Sequence, residues 1–581
     1  MLRPSVLALL LFLGGAAAAC GREGQRPSLL LVTLDTTRAD ALGCYAARPG
    51  LTPNLDRLAS EGLVFECARS VAPLTLPAHA SMLTGLYPPR HTLRDNGLAP
   101  LPASARTAAE ELAAAGYETA AFVSAAVLDR SWGLAQGFEL YDDPPSTQAG
   151  VHIEERPGVE TVQHALDWLR SRSRERPFFV WVHLYEPHAP YSPPRAFLEQ
   201  ARGDAYLGEV AAEDHELGRL LDALRNTQEL ERTLVLVAAD HGEALGQHGE
   251  PTHSIFCYEP TMRVPLIARL PGASRSGVRL RAPVSLVDLF PTLLAAAGGA
   301  PPPRLDGRDL LADSLDEERT VYFESYCGWL NYAWSPLCGA ADQRETYLWS
   351  EGEELFDLPH DPRQKLNLAE QRVADCARWR ERLRTLVSGP ALARADGEHA
   401  DEAQRARVRE LGYAGSAEDS LAIPAVLEPT GLPSPMERKE ELRRYYDALE
   451  AEVRGEHAQA RQGLQEVLAG NPANYAAGDV LGALLIADGQ FALALEVLQK
   501  LQASGRERAT THLSLAQCCE ALGRGEEALA HLERALVLHP EGRTELRELR
   551  RVCALRGDTR RAAELDRRLE LLDATSGQRS R

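Results

Sequence analysis

The stretch Ser28-Leu29-Leu30-Leu31-Val32-Thr33-Leu34-Asp35-Thr36-Thr37-Arg38 decides the fold. A short apolar run, Leu29–Leu34, stops abruptly on a carboxylate. Four similar runs follow, Glu118–Val123, Phe178–Val182, Leu234–Ala239 and Val264–Ala268, each compact and bounded by turn residues. They read as buried strands. Amphipathic helical stretches such as Ala105–Ala115 and Glu213–Leu224 lie between them. That alternation predicts an α/β fold whose mostly parallel sheet is covered on both faces. Sites in such sheets form at the carboxyl ends of the strands, so the residues just after each run carry the information.

Three of the runs end on candidate ligands. The first stops at Asp35, and the run 234–239 stops at Asp240-His241-Gly242-Glu243. The run 178–182 stops at His183, followed by Glu186-Pro187-His188, and His248 and His253 sit in the loop before the next strand. Oxygen and nitrogen donors of this kind suit Zn²⁺ or a harder divalent ion. After the first strand comes Pro73-Leu74-Thr75-Leu76-Pro77-Ala78-His79-Ala80-Ser81-Met82-Leu83-Thr84-Gly85. Thr75 is predicted just before a helix amino terminus, where free N–H groups and the helix dipole favour an oxyanion. Two readings of Thr75 stand: a plain N-cap, or a nucleophile acidified by a metal.

The 581-residue chain has a formal charge of −20, which disfavours nucleic acid as a partner. Lys365, Lys439 and Lys500 are its only lysines, so chemistry in the first 364 residues has no ammonium group. Residues 1–19 pair Arg3 with a short apolar run and a small-residue cleavage site, the pattern of a signal peptide. Ala17-Ala18-Ala19-Cys20 resembles a bacterial lipobox, which implies lipidation of Cys20 and anchoring in the periplasm or outer membrane. Ordinary cleavage leaving a free Cys20 is the alternative. In an exported chain the remaining cysteines are able to pair, and a Cys327–Cys338 bridge is one candidate.

Residues 414–435 carry prolines at 424, 429, 433 and 435 and read as a linker. Beyond it, over 436–575, Gly455, Gly489, Gly523 and Gly557 recur every 34 residues, each followed five residues later by Ala460, Ala494, Ala528 or Ala562. This helix–turn–helix period resembles the tetratricopeptide repeat, an α-solenoid. The resemblance implies a peptide or protein partner, against a purely structural bundle.

From 28 to 413, the motifs Thr52-Pro53-Asn54-Leu55-Asp56, Pro77–Gly85, Glu186-Pro187-His188-Ala189-Pro190-Tyr191, Asp240-His241-Gly242, Arg263-Val264-Pro265-Leu266 and Glu354-Leu355-Phe356-Asp357-Leu358 occur in order. Together with Asp35 they resemble the sulfatase family of the alkaline phosphatase superfamily. The resemblance implies an α/β/α sandwich, a divalent metal, and hydrolysis or transfer at sulfate or phosphate esters. Sulfatases place Cys or Ser at the start of the Pro77–Gly85 motif, oxidise it to formylglycine, and follow its proline with an arginine. Here Thr75 and His79 hold those positions, Thr36 replaces the second of two paired aspartates, and no lysine precedes Lys365. A threonine cannot become the aldehyde.

Other branches of the superfamily use a metal-bound Thr directly. By that resemblance Asp35, Thr75, Asp240 and His241 share one metal, Zn²⁺, Mn²⁺ or Ca²⁺. His188 and His253 face the transferring group, the leaving oxygen or a second metal. Asn96 contacts the oxyanion, and His79 is counted with the catalytic set. The expected enzyme is a phosphoesterase before a sulfoesterase. A transferase of phospho-headgroups between envelope lipids or glycans, and an inactive lipoprotein that scaffolds a partner, are the alternatives. The loops His152–Glu160, Ser192–Ala205 and Tyr326–Arg344 are expected to build the substrate pocket.

Overall fold

A computed structural model describes residues 26–46, 50–144, 155–394, 423–504, 507–540 and 542–579. The signal segment, Cys20, residues 152–154 and the first part of the linker fall outside that set. The strands of the main sheet are β1 (Ser28–Leu34), β2 (Leu63–Phe65), β3 (Glu118–Val123), β4 (Leu140–Asp142), β5 (Phe178–Leu184), β6 (Thr233–Ala239), β7 (Leu266–Arg269) and β8 (Val278–Leu280). They lie in the order β4-β3-β5-β1-β6-β7-β2-β8. Only β7 runs antiparallel to its neighbours, so the sheet is mixed and mostly parallel.

The central strands are apolar on both sides because both sides are covered. Leu29, Leu30, Leu31 and Val32 are all fully buried. One layer holds α1 (Thr75–Thr84) and α2 (Ala108–Ala114); the other holds α3 (Gly158–Ser171) and α4 (Ala205–Asn226). The predicted α/β/α layering is therefore present. The boundaries differ in two places: β5 continues through Leu184, which puts His183 inside the strand, paired in register with Thr33 of β1. The last run enters its strand at Leu266 rather than Val264, after Pro265.

A second, antiparallel sheet follows, with β9 (Val321–Ser325), α5 (Cys327–Tyr332), β10 (Leu337–Ala341), β11 (Glu345–Trp349) and β12 (Glu353–Asp357). Most of the expected pocket loop Tyr326–Arg344 is thus a helix and a strand. Cys327 and Cys338 are buried free thiols, so the candidate disulfide is absent; an apolar core gives thiols a place as small hydrophobes.

Among its described residues the repeat region forms eight helices, α6 (Lys439–Val453), α7 (His457–Gly470), α8 (Tyr475–Ala487), α9 (Phe491–Ala503), α10 (Ala509–Ala521), α11 (Gly525–Leu538), α12 (Arg543–Leu555) and α13 (Thr559–Arg579). Each periodic glycine turns a hairpin at positive φ, 76°, 72°, 74° and 80° in order, where an L side chain is strained. The periodic alanines are buried where paired helices approach.

The two bodies are packed together as well as joined. Phe256, Tyr258, Tyr332 and Trp334 share one apolar cluster with Leu442 and Tyr445. Asn471 donates to the Tyr332 carbonyl at 2.8 Å, and Arg508 to that of Leu330 at 3.0 Å. The proline-rich segment is tied down in its described part: Tyr326 donates to the Pro424 carbonyl at 3.0 Å, and Gly431 N–H to Glu351 at 3.1 Å.

Candidate active site

Each parallel strand of the centre delivers at least one group to its carboxyl end. β1 delivers Asp35, β5 carries His183, and β6 delivers Asp240 and His241, all fully buried. Thr75 is the first residue of α1 and Leu74 is its N-cap, without a side-chain capping bond. Thr75 is therefore not a cap. Its Oγ1 stands 3.4 Å from Asp35 Oδ2 and 3.5 Å from His241 Nε2. His241 Nε2 is 3.5 Å from Asp240 Oδ2 and 4.0 Å from Asp35 Oδ1, and His183 Nε2 is 3.3 Å from Asp35 Oδ2.

Asp35 Oδ1, Asp240 Oδ2 and His183 Nδ1 are buried with no hydrogen-bond partner among the described residues. Buried polar atoms are normally satisfied, and a carboxylate oxygen left bare costs several kcal/mol by order of magnitude. Burial pushes the Asp35 and Asp240 carboxyls above the usual range. Burial also works against protonation of His241, but the two carboxylates beside it prevail and raise it. Donor atoms of Asp35, Asp240 and His241 all lie within 4.8 Å of one another, as do those of His79, His183 and Asp240. Bare oxygens around one point suit a divalent cation, so the donor set fits the metal that the motifs imply.

The departures from the sulfatase pattern have visible consequences. Thr36 supplies no carboxylate; it sits at φ 48°, rare for a β-branched residue, and its N–H donates to Asp240 Oδ1 at 3.2 Å. Its hydroxyl donates to the Pro187 carbonyl at 2.6 Å, tying the His188 loop to β1. His79 lies one turn along α1, with Nδ1 2.8 Å from the Thr75 carbonyl and Nε2 3.0 Å from Thr33 Oγ1. Burial holds its pKa down to about 3, so its ring is neutral and orients α1 against β1.

Asn96 accepts from the Leu76 N–H at 2.9 Å, and its buried Nδ2 has no partner among the described residues beside the start of α1. The other two histidines reach the centre through His241. The His253 ring is 4.6 Å from that of His241 and 5.1 Å from that of His188, and His188 stacks on Tyr185 at 4.4 Å. Burial lowers both, His188 to about 4.

Glu243, quoted in the Asp240-His241-Gly242-Glu243 run without a role, anchors this row. Its Oε1 is 3.3 Å from His253 Nδ1, and its Oε2 accepts from Tyr191 at 3.0 Å. Asp95 was also missed; its buried carboxyl is pushed up to about 7 and feels the charge of Arg508, from the repeats. Nothing local in sequence announces a neighbour some 400 residues away. Arg94 donates to Glu324 at 2.7 Å and lies over the Tyr326 ring at 3.7 Å, fixing the Asn96 turn against the second sheet.

A sulfatase family model matches residues 27–300, and a tetratricopeptide repeat model matches residues 485–553. The N-acetylgalactosamine-6-sulfatase of Canis lupus familiaris is 30% identical over 372 residues, spanning 54% of this chain and 70% of that protein. The chain belongs to the sulfatase family. Another member, the uncharacterized sulfatase YidJ of Escherichia coli, is 28% identical, over 60% of this chain and 85% of its own length. The family fold also covers the phosphonate monoester hydrolase of Agrobacterium radiobacter, at TM-score 0.54 and 22% identity, over 62% of this chain and 96% of that one. This sulfatase-family hydrolase thus combines the family's strand-end groups with a threonine at the head of α1 and tetratricopeptide repeats behind.

Proposed function

We propose that this protein is an exported, metal-dependent hydrolase that favours phosphate esters over sulfate esters and uses Thr75 as its nucleophile. The observation that carries this is the placement of Thr75 Oγ1, 3.4 Å from Asp35 and 3.5 Å from His241 at the start of a helix. A hydroxyl that cannot be oxidised to formylglycine has direct displacement left to it. Distances somewhat beyond ideal hydrogen bonds are usual before substrate binds.

Asp35, Asp240 and His241 would hold a divalent cation, which when bound would supply Lewis acidity that lowers the hydroxyl pKa and offsets charge on the transferring group. Thr75 Oγ1, its acidified proton given up to solvent, forms a bond to phosphorus as the ester oxygen's bond breaks in line. Asn96 Nδ2 and the amino terminus of α1 donate to the equatorial oxygens. The departing alcohol leaves beside His188 and His253 and takes its proton from water. Water then cleaves the phosphothreonine, returning Thr75. Glu243 keeps the histidine row aligned throughout.

Export and acylation at Cys20 belong to the same proposal and rest on the charged start, the apolar run and Ala17-Ala18-Ala19-Cys20. The repeats are proposed to engage a protein or peptide. The test is a panel of phosphate monoesters, diesters, phosphonates and sulfates with Zn²⁺, Mn²⁺ and Ca²⁺. Turnover on phosphoesters that falls by roughly a thousandfold or more in Thr75→Ala supports the reading. Wild-type turnover in Thr75→Ala, or activity on sulfates alone, contradicts it.

A further inference from the structure

A second feature of the same sheet edge is not used by this chemistry. A cleft of 1310 Å³ opens where the main sheet, the second sheet and the repeats meet, and Asp35, Thr75, Asp240 and His241 do not line it. Its floor is the carboxyl edge on the β7-β2-β8 side: Cys67 follows β2, Arg281 follows β8, and Arg263 precedes antiparallel β7. β12 contributes Phe356, and α6 contributes Lys439, its first residue.

In a chain of net charge −20, this cleft is lined by nine Arg or Lys side chains against four carboxylates. Two of the three lysines are among them, Lys365 and Lys439. The four carboxylates are already engaged. Asp40 pairs with Arg38, Glu259 with Arg69, Glu66 with Arg279 and Arg281, and Glu354 accepts from Tyr258. Arg263, Arg344, Arg363 and Lys365 make no ion pair within 4.0 Å among the described residues. Arg69 is 3% exposed, and its Nε is buried without a hydrogen-bond partner among the described residues.

Cations gathered in a concave, low-dielectric setting concentrate anions, and guanidinium forks match the oxygens of sulfate and phosphate. Of the bordering rings, Tyr258 and Phe356 are packed away at 2% exposed and Tyr45 and His248 are half-buried, so the cleft offers no fully exposed ring for a nucleobase to stack on. The Gln343 amide and the Gln247 NH2 group offer hydrogen bonds to hydroxyl groups instead, while the Asn367 amide is taken by Leu355, Ala369 and Glu353.

We propose that this cleft is a second anion-binding site, distinct from the Thr75 centre, which takes a sulfated or phosphorylated oligosaccharide. The inference stands independently of the reaction at Thr75. The test is fluorescence anisotropy of the full chain with three labelled probes: a heparin oligosaccharide, a phosphorylated mannan oligosaccharide and a single-stranded oligonucleotide. Arg363→Ser with Lys365→Ser removes two exposed charges that have no ion pair among the described residues. Arg170→Ser with Arg174→Ser removes two exposed charges from the far side of the sheet, one of them paired with Asp167.

The cleft variant is expected to bind the better oligosaccharide roughly tenfold more weakly near 0.15 M salt, with the control unchanged and both melting as wild type. The two oligosaccharides tell which oxyanion is preferred. Should the double variant melt early, Arg344→Ser provides the same readout. Equal affinity in the two variants, or tighter binding of the oligonucleotide than of either oligosaccharide, overturns the proposal.

Discussion

The Thr75 centre and the basic cleft lie along one edge of one sheet and are built in opposite ways. The centre is closed, and its bare oxygens at Asp35 and Asp240 ask for a cation. The cleft is open, and its unpaired cations at Arg263, Arg344, Arg363 and Lys365 ask for anions. Burial explains the difference. A charge sealed from water needs a partner inside the site, whereas a charge facing solvent can wait for one.

Removing the amide donor at the centre breaks the comparison most sharply. Asn96→Ala is expected to lower kcat by roughly a hundredfold on the preferred ester, the usual scale for one oxyanion donor, while leaving oligosaccharide binding in the cleft unchanged. Steady-state kinetics and anisotropy on the same preparation check both halves. A proportional loss in the two assays would merge the sites into one.

Metal removal is the next largest effect. A ligand present at a hundred times its Kd contributes about 2.7 kcal/mol. Chelation is therefore expected to lower the melting temperature by several degrees, and Asp240→Asn to abolish that dependence while making the metal-free protein more stable. Differential scanning calorimetry with and without chelator measures this. An Asp240→Asn protein that still responds to metal would move the ion elsewhere.

The smallest effect concerns pH. Burial raises the Asp95 carboxyl to about 7, well above its unfolded value near ~3.9. The folded state then binds more protons than the unfolded state between those limits, so this group's contribution to stability falls as pH rises through the window. Asp95→Asn is expected to flatten that slope and to gain stability at neutral pH, read from urea midpoints at several pH values. An unchanged slope would assign the pH dependence to other buried acids, such as Glu155 or Glu250, both raised to about 8.

What the sequence revealed follows from how local each signal is. The apolar runs ending at Asp35 and Asp240 specify strands and their ligands together, and the 34-residue glycine spacing specifies hairpins, so fold and centre were legible. Thr75 was misplaced by one position because the start of α1 lacks a side-chain cap, the usual marker of a helix start. Glu243 was visible but mute, since an acid after a strand end says nothing about the histidine it holds. The cleft was not legible at all. It gathers Arg38, Arg263, Arg363 and Lys439 from separate parts of the chain, and only the packing of the second sheet and the repeats brings them together.

The central claim is that Thr75 itself becomes esterified. Rapid acid quench of the metal-loaded protein during turnover of an activated phosphoester, followed by peptide mass spectrometry, tests it directly. The account predicts one phosphoryl group on Thr75, lost on longer incubation and absent from Asp240→Asn. Turnover with Thr75 unmodified at every time point, or the phosphoryl group found on a histidine, would contradict it.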